Sequence, residues 1–279
     1  MNLYTIDTGL FKLDGGAMHG VVPKSLWQKL NPADENNLCS WAMRCLLVET
    51  EGRLILIDTG IGDKQDEKFF SHYYLHGEGN LEKSLQRYGF SMEDITDVFL
   101  THLHFDHVGG AVKRVGDKLV PSFKNAQYWS NRAHWEWAVH PNDREKASFL
   151  KENIMPLQES GQLQFIETAE GQEWLPDFRI RYVQGHTEAM MLPQIRYKEQ
   201  TLLYCADLLP SKAHISLPWI MSYDMRPLET LKEKKLLLQE AVDNDWLLYF
   251  EHDAANELCS LMQTERGIKP GQTLQLSDC

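Results

Sequence analysis

No stretch of the 279 residues approaches the ~18–20 consecutive apolar positions of a membrane-spanning helix. Runs such as residues 54–57 are only strand-sized. A basic excess is missing too: 28 Lys and Arg stand against 40 Asp and Glu, a net charge of −12. That balance repels phosphate backbones and anionic lipid, so neither nucleic acid nor membrane is an expected partner. Cysteine is scarce and odd in number (Cys39, Cys45, Cys205, Cys259, Cys279), with no C-x-x-C. These residues read as reduced thiols packed as small hydrophobes rather than a disulfide framework. The opening Met-Asn-Leu-Tyr-Thr-Ile-Asp has no basic region, apolar core or cleavage site of a secretory signal. With the reduced thiols, this makes a cytoplasmic location the expectation. No linker or repeat period divides the sequence, so a single domain over 1–279 is expected. The G-x-S-x-G and phosphate-loop motifs are also missing, which removes serine-nucleophile and nucleotide chemistries from consideration.

What is present is strand-like patterning interleaved with helices. Strands are expected at 3–8, 43–49, 53–58, 97–100, 125–130, 162–167, 178–183, 195–198, 202–205 and 246–250. Helices are expected at 23–30, 81–88, 135–139, 143–157 and 227–242, and the glycine-rich segment 15–20 reads as a loop. In the last helix, three- and four-residue spacings put Leu228, Leu231, Lys235, Leu238 and Val242 on one face. A layered α/β arrangement accommodates this order, with functional residues at strand ends.

Histidine is concentrated where chemistry is expected. Residues 101–110 read Thr-His-Leu-His-Phe-Asp-His-Val-Gly-Gly, directly after a predicted buried strand. Residues i and i+2 of an extended segment share a face. His102 and His104 can therefore grip one ion together, and Asp106 and His107, past the turn, can point at a neighbouring one. Imidazole and carboxylate suit zinc, iron or manganese better than calcium or magnesium. Gly109-Gly110 lets the chain double back. A lone histidine is more often a satisfied structural group, but four coordinating side chains within six residues are not.

The run His102-x-His104-x-Asp106-His107 resembles the signature of the metallo-β-lactamase superfamily. The resemblance implies an α/β fold, the four-layer αβ/βα sandwich, with two divalent metal ions at the strand ends. Zn2+ is the leading choice, with Fe or Mn as alternatives. It further implies that His186, after Gly185, completes the first site, that Asp207 bridges the ions, and that His252 completes the second. Asp58, in Leu-Ile-Asp-Thr-Gly, is similar to the family's supporting aspartate behind the ligands. The runs Gly-Val-Val-Pro-Lys (20–24) and Asp-Thr-Gly-Ile-Gly-Asp (58–63) look like the branch holding quorum-quenching lactonases and methyl-parathion-hydrolase-like enzymes. Two departures stand out. Many members continue Gly-His-Thr with Pro-Gly-His, whereas residues 188–190 here are Glu-Ala-Met. Lactonases of this kind also carry a tyrosine three residues after the bridging Asp, where this chain has Pro210.

The activity implied is hydrolysis of a small neutral ester, lactone or organophosphate by a metal-bridging hydroxide. Asp106 is then both ligand and proton shuttle, and Phe105, His214 and Tyr223 are pocket candidates. Alternatives on the same fold are a redox enzyme, either a di-iron oxygen or nitric-oxide reductase or a mono-iron persulfide dioxygenase, and a non-catalytic metal-binding scaffold. The first normally needs a flavin domain and the second a basic anion pocket, and neither is read here. The expected partner is a small-molecule substrate, with a homodimer left open.

Overall fold

Leucine, isoleucine and valine runs set the strands, and parallel pairing at two places decides where the chemistry-bearing turns emerge. The computed structural model describes all 279 residues. They form two compact units, Met1–Leu10 with Met43–Ala169 and Phe11–Ala42 with Glu170–Cys279, neither of them contiguous in sequence.

The first sheet draws on β1 (Asn2–Asp14), β2 (Leu38–Thr50), β3 (Arg53–Ile57) and β4 (Asp97–Phe99). A separate hairpin, β5 (Val112–Val115) with β6 (Lys118–Pro121), precedes β7 (Gln127–Ser130) and β8 (Leu163–Phe165). The spatial order is β1-β2-β3-β4-β7-β8. The β2–β3 turn uses Glu51 and Gly52 at φ 48° and 76°, the left-handed region that a tight hairpin needs. From β3 onward the pairing is parallel, with Ile57 opposite Phe99 and Phe99 opposite Trp129. Asp58 and the segment from Thr101 to His107 therefore leave the same edge. Leu47, Leu56, Val98, Leu100, Leu103, Phe123, Tyr128 and Ile154 are fully buried in this unit's core. At 25–30 cal/mol per Å², each such side chain contributes about 1.5–3 kcal/mol.

The second sheet comprises β9 (Glu173–Leu175), β10 (Phe178–Val183), β11 (Met190–Tyr197), β12 (Gln200–Tyr204), β13 (Leu247–Tyr249), β14 (Leu258–Thr264) and β15 (Gly267–Leu274). They lie in the order β15-β14-β13-β12-β11-β10-β9. β12 and β13 are parallel, with Tyr204 opposite Tyr249, while β11 is antiparallel to both β10 and β12. β10, β12 and β13 thus point the same way. His186, Asp207 and His252 follow their C-terminal ends, the usual place for ligands in such sheets.

Several expectations need correcting. Residues 15–19 are not loop but a short helix, Gly15–His19, opened by Asp14, whose Oδ1 accepts from Ala17 N at 2.8 Å. The helix expected at 143–157 is only Lys151–Glu159. Before it, Asn142 Oδ1 accepts from Arg144 N and Glu145 N, holding the chain in turns. The hairpins β5–β6 and β14–β15 were not expected. The helix Pro227–Asp243 is where periodicity put it, but it buries Thr230, Lys234, Leu237, Leu238 and Ala241 and leaves Leu228 81% exposed. No helix is long and apolar enough to cross a membrane.

Candidate metal centre

In the first unit the helix Phe105–Val108 turns the chain after His104, with Thr59 N and Oγ1 both donating to the His107 carbonyl at 2.8 Å. The glycines that follow serve close approach rather than positive φ. A Cβ at Gly109 would sit 2.0 Å from the Ile61 carbonyl oxygen, and one at Gly110 would sit 2.3 Å from that of Thr59. The buried Lys64 ammonium caps the Gly109 carbonyl, and burial pulls its pKa down to about 8.

Asp58 organises the histidines. Its carboxylate accepts from Thr101 N at 2.8 Å, Thr101 Oγ1 at 2.7 Å and His107 Nδ1 at 3.2 Å. Because Thr101 spends its hydroxyl proton on Asp58, its oxygen accepts from His102 Nδ1 at 3.0 Å. His104 instead donates from Nε2 to Glu145 Oε1 at 3.0 Å, and Glu145 also accepts from Trp137 Nε1 at 2.7 Å. These bonds leave Nε2 of His102, Nδ1 of His104 and Nε2 of His107 as the lone-pair atoms. Asp106 Oδ2 lies 3.9 Å from His107 Nε2. Asp58 itself stands at φ 58°, a conformation costing about 1–3 kcal/mol for most residues but tolerated by Asp. Phe105 is buried against Tyr73 and Phe69, with ring centroids 4.7 and 5.5 Å away.

In the second unit Asp207 Oδ2 lies 3.1 Å from His186 Nε2, and its Oδ1 lies 3.1 Å from His252 Nε2. The outer nitrogens are already committed. His252 Nδ1 meets the Ala42 carbonyl at 2.7 Å, and a carbonyl can only accept. His186 Nδ1 meets Asp224 Oδ1 at 2.9 Å. A neutral imidazole donating from Nδ1 carries a lone pair on Nε2. Each contact with Asp207 therefore needs a positive charge, supplied by a second ring proton when the site holds no cation and by the cation when one is bound. Burial alone would lower the pKa of His186, but Asp207 and Asp224 outweigh it and raise it to about 10. The donors are imidazoles with locked outer nitrogens around a carboxylate, the chemistry of a divalent-metal site. Ala206, at φ 40°, carries left-handed strain immediately before Asp207.

The remaining candidates fall outside these clusters. His214 is buried with Nδ1 on Ser211 Oγ and Nε2 on the Met18 carbonyl, both at 2.8 Å. It stacks on His19, their centroids 5.0 Å apart. Tyr223 is 38% exposed. Met190 is fully buried, opening β11 opposite Val183, so the residue in place of the family histidine is a core side chain. Glu188 pairs with Arg226 at 2.6 Å. Sequence reasoning missed Thr101, Glu145 and Asp224. Thr101 precedes the histidine run and could have been found there, whereas Glu145 and Asp224 sit in turns with no motif around them.

A family model described as the metallo-beta-lactamase superfamily matches residues 44–252. The chain belongs to that superfamily. Its fold is the superfamily's mixed α/β arrangement of sheets flanked by helices, as the motif resemblance implies. The N-acyl homoserine lactonase of Bacillus thuringiensis is 27% identical over 195 residues, 66% of this chain and 66% of the lactonase, so the match spans just under two thirds of that relative. The structure of a probable metal-dependent hydrolase from Staphylococcus aureus is 27% identical and covers 98% of both chains with a TM-score of 0.87. AidC, a dizinc quorum-quenching lactonase solved with a product, covers 98% of this chain and 95% of its own at a TM-score of 0.79 and 22% identity. At that identity the likeness to AidC shows the fold.

Proposed function

We propose that this chain is a metal-dependent hydrolase of small uncharged lactones and esters that works with two divalent cations, zinc first among them. By the superfamily pattern, His102, His104 and His186 hold one cation, Asp106, His107 and His252 the other, and Asp207 is shared. The observation that carries the reading is Asp207 itself, a carboxylate facing Nε2 of both His186 and His252 at 3.1 Å each, with the outer nitrogen of each ring already bonded. Such cations, when bound, supply Lewis-acid polarisation and a water acidic enough to react near neutral pH.

The chain's own residues do the rest. Asp58, Glu145 and Asp224 hold histidine orientations, and Asp106, 8% exposed, takes and returns the proton. Phe105 with Phe69 and Tyr73 offers an aromatic face to an apolar acyl or aryl group. Where lactonases of this branch carry tyrosine, the Pro210 carbonyl accepts from His252 N at 3.1 Å and no hydroxyl is supplied. That substitution favours good leaving groups, as in aryl esters and phosphotriesters, over simple alkyl lactones. Fully loaded protein should hold about two metal equivalents by this ligand count. It should hydrolyse an aryl ester and an N-acyl homoserine lactone, and chelation should abolish both activities. A stable single equivalent that His252→Ala leaves unchanged would overturn the two-cation reading. Hydrolysis that survives chelation would overturn the metal-dependent one.

A further inference from the structure

The helix Pro227–Asp243 turns a lysine toward its packed side along with Leu237 and Leu238. Lys234 is fully buried. Its Nζ donates to three carbonyls, those of Trp219 at 2.6 Å, Ser216 at 3.1 Å and Leu217 at 3.3 Å. An ammonium has three N–H donors and no acceptor, so these oxygens complete its bonding. Burying such a charge is costly unless every proton is placed. A residue serving only to pack would be apolar here. All three acceptors belong to one short stretch of backbone.

That stretch is the middle of a strap running from residue 211 to 226. Its first part is anchored by His214, as described above. Further on, Ser222 N donates to the Ala17 carbonyl at 2.8 Å. Gly20, at φ 58°, lies so close to the strap that a Cβ there would sit 2.2 Å from the Ile220 carbonyl oxygen. The strap ends against the segment that bears His186. Asp224 Oδ1 bonds His186 Nδ1, Met225 N donates to the His186 carbonyl at 3.1 Å, and Arg226 N donates to that of Gly185 at 2.8 Å. Lys234 also lies within the electrostatic reach of Asp224. Burial pulls the lysine's pKa down to about 7, and the Asp224 charge pulls it back up.

We propose that Lys234 is a positioning residue: by fixing the 216–219 backbone it sets Asp224 against His186 and so aims that imidazole at the cation. This rests on the metal-binding reading of His186 and deepens it. No motif marks Lys234, since its acceptors are backbone carbonyls that any sequence would present.

The test compares the full-length wild type with Lys234→Met, Asp224→Asn and the double variant. The probe is Zn2+ itself, titrated in competition with a chromophoric chelator. Lys234→Met is expected to weaken zinc binding about 10- to 100-fold, the usual range for loss of a group that orients a metal ligand. The double variant should bind no more weakly than Asp224→Asn alone, because both changes act through one contact. A metal-free readout separates this idea from the metal reading. The His186 Nδ1 proton, hydrogen-bonded to Asp224, should be visible by NMR in the wild type and lost to solvent exchange in Lys234→Met, together with protection of the strap amides. Zinc affinity within twofold of wild type, additive losses in the double variant, or a retained ring proton would each overturn the proposal. If wild type shows the ring proton yet binds no zinc, the metal reading fails instead and the role of Lys234 is judged on the exchange data. Should Lys234→Met not fold, Lys234→Gln decides. It keeps an N–H donor pair on a shorter stem and must give a partial loss, and wild-type affinity with a retained ring proton refutes the idea.

Discussion

Replacing Asp58 by Asn changes one atom and should displace protons on two histidines. Asn tolerates φ 58° as Asp does, so the backbone is not the perturbation. The Asp58 carboxylate accepts three bonds, from Thr101 N, Thr101 Oγ1 and His107 Nδ1. An amide can accept only on its oxygen. With that oxygen on Thr101 N, the NH2 group faces two donors. Thr101 must then turn its hydroxyl proton toward His102 Nδ1, and His107 must move its own proton to Nε2. Both changes place N–H groups on atoms that must be bare to bind a cation. Bonds to a charged group are worth roughly 1.5–3 kcal/mol each, so losing one or two costs metal-free protein about 2–4 kcal/mol, or roughly 3–7 °C in Tm for a chain this size. Zinc affinity should fall about 10- to 100-fold. Asp97 is the control, also buried and bonded to Arg53, Thr96 and Trp129 but bonded to no histidine. Asp97→Asn should lower Tm and leave zinc affinity unchanged. Differential scanning calorimetry and chelator competition on both variants decide the matter. Wild-type zinc binding by Asp58→Asn, or equal weakening by Asp97→Asn, would refute the proton-placement argument.

Asp106→Asn should keep the first site loadable while turnover falls at saturating metal, since an amide cannot take a proton at neutral pH; near-normal kcat would remove Asp106 from proton transfer. His19 is fully buried between Trp27 and His214 with neither ring nitrogen hydrogen-bonded. Burial pulls its pKa down to about 4, so the native state prefers it neutral. The unfolded chain binds the extra proton between about pH 6.5 and 4, and stability should fall by roughly 3 kcal/mol as pH drops through that window. Urea unfolding of His19→Phe should show a shallower acid limb than wild type, and an identical limb would sink the assignment. With a net charge of −12, the protein should also prefer neutral substrates over extended polyanions. A phosphodiester oligonucleotide that beats an aryl ester more than tenfold in kcat/KM, about 1.4 kcal/mol, would contradict this.

The histidine cluster was legible because its spacing is local. Residues 102–107 lie in one short run, and the turn after a buried strand is visible in composition. Asp58 was legible through the same strand-then-turn pattern, and both strands do end on one edge through the Ile57–Phe99 pairing. The orienting partners were not legible, for a different physical reason. Glu145 reaches His104 because Asn142 breaks the expected helix into turns, and Asp224 reaches His186 from a strap without regular structure. Periodicity cannot signal a contact made from a turn. It failed again on the helix Pro227–Asp243, where a hydrophobic-face rule chose Leu228 over Lys234. The inner face of a helix is chosen by what lies opposite. Opposite Lys234 lie three carbonyls, of which only that of Ser216 also accepts a backbone bond, from Trp219 N at 3.0 Å, and to such a polar backbone an ammonium is the better-fitting side chain. The same logic explains why polar groups fill this protein's interior near its histidines. An imidazole can be aimed only by a bond to its far nitrogen, and a buried bond needs a buried acceptor. Asp58, Glu145 and Asp224 are those acceptors, and their burial follows from the bonds these imidazoles make.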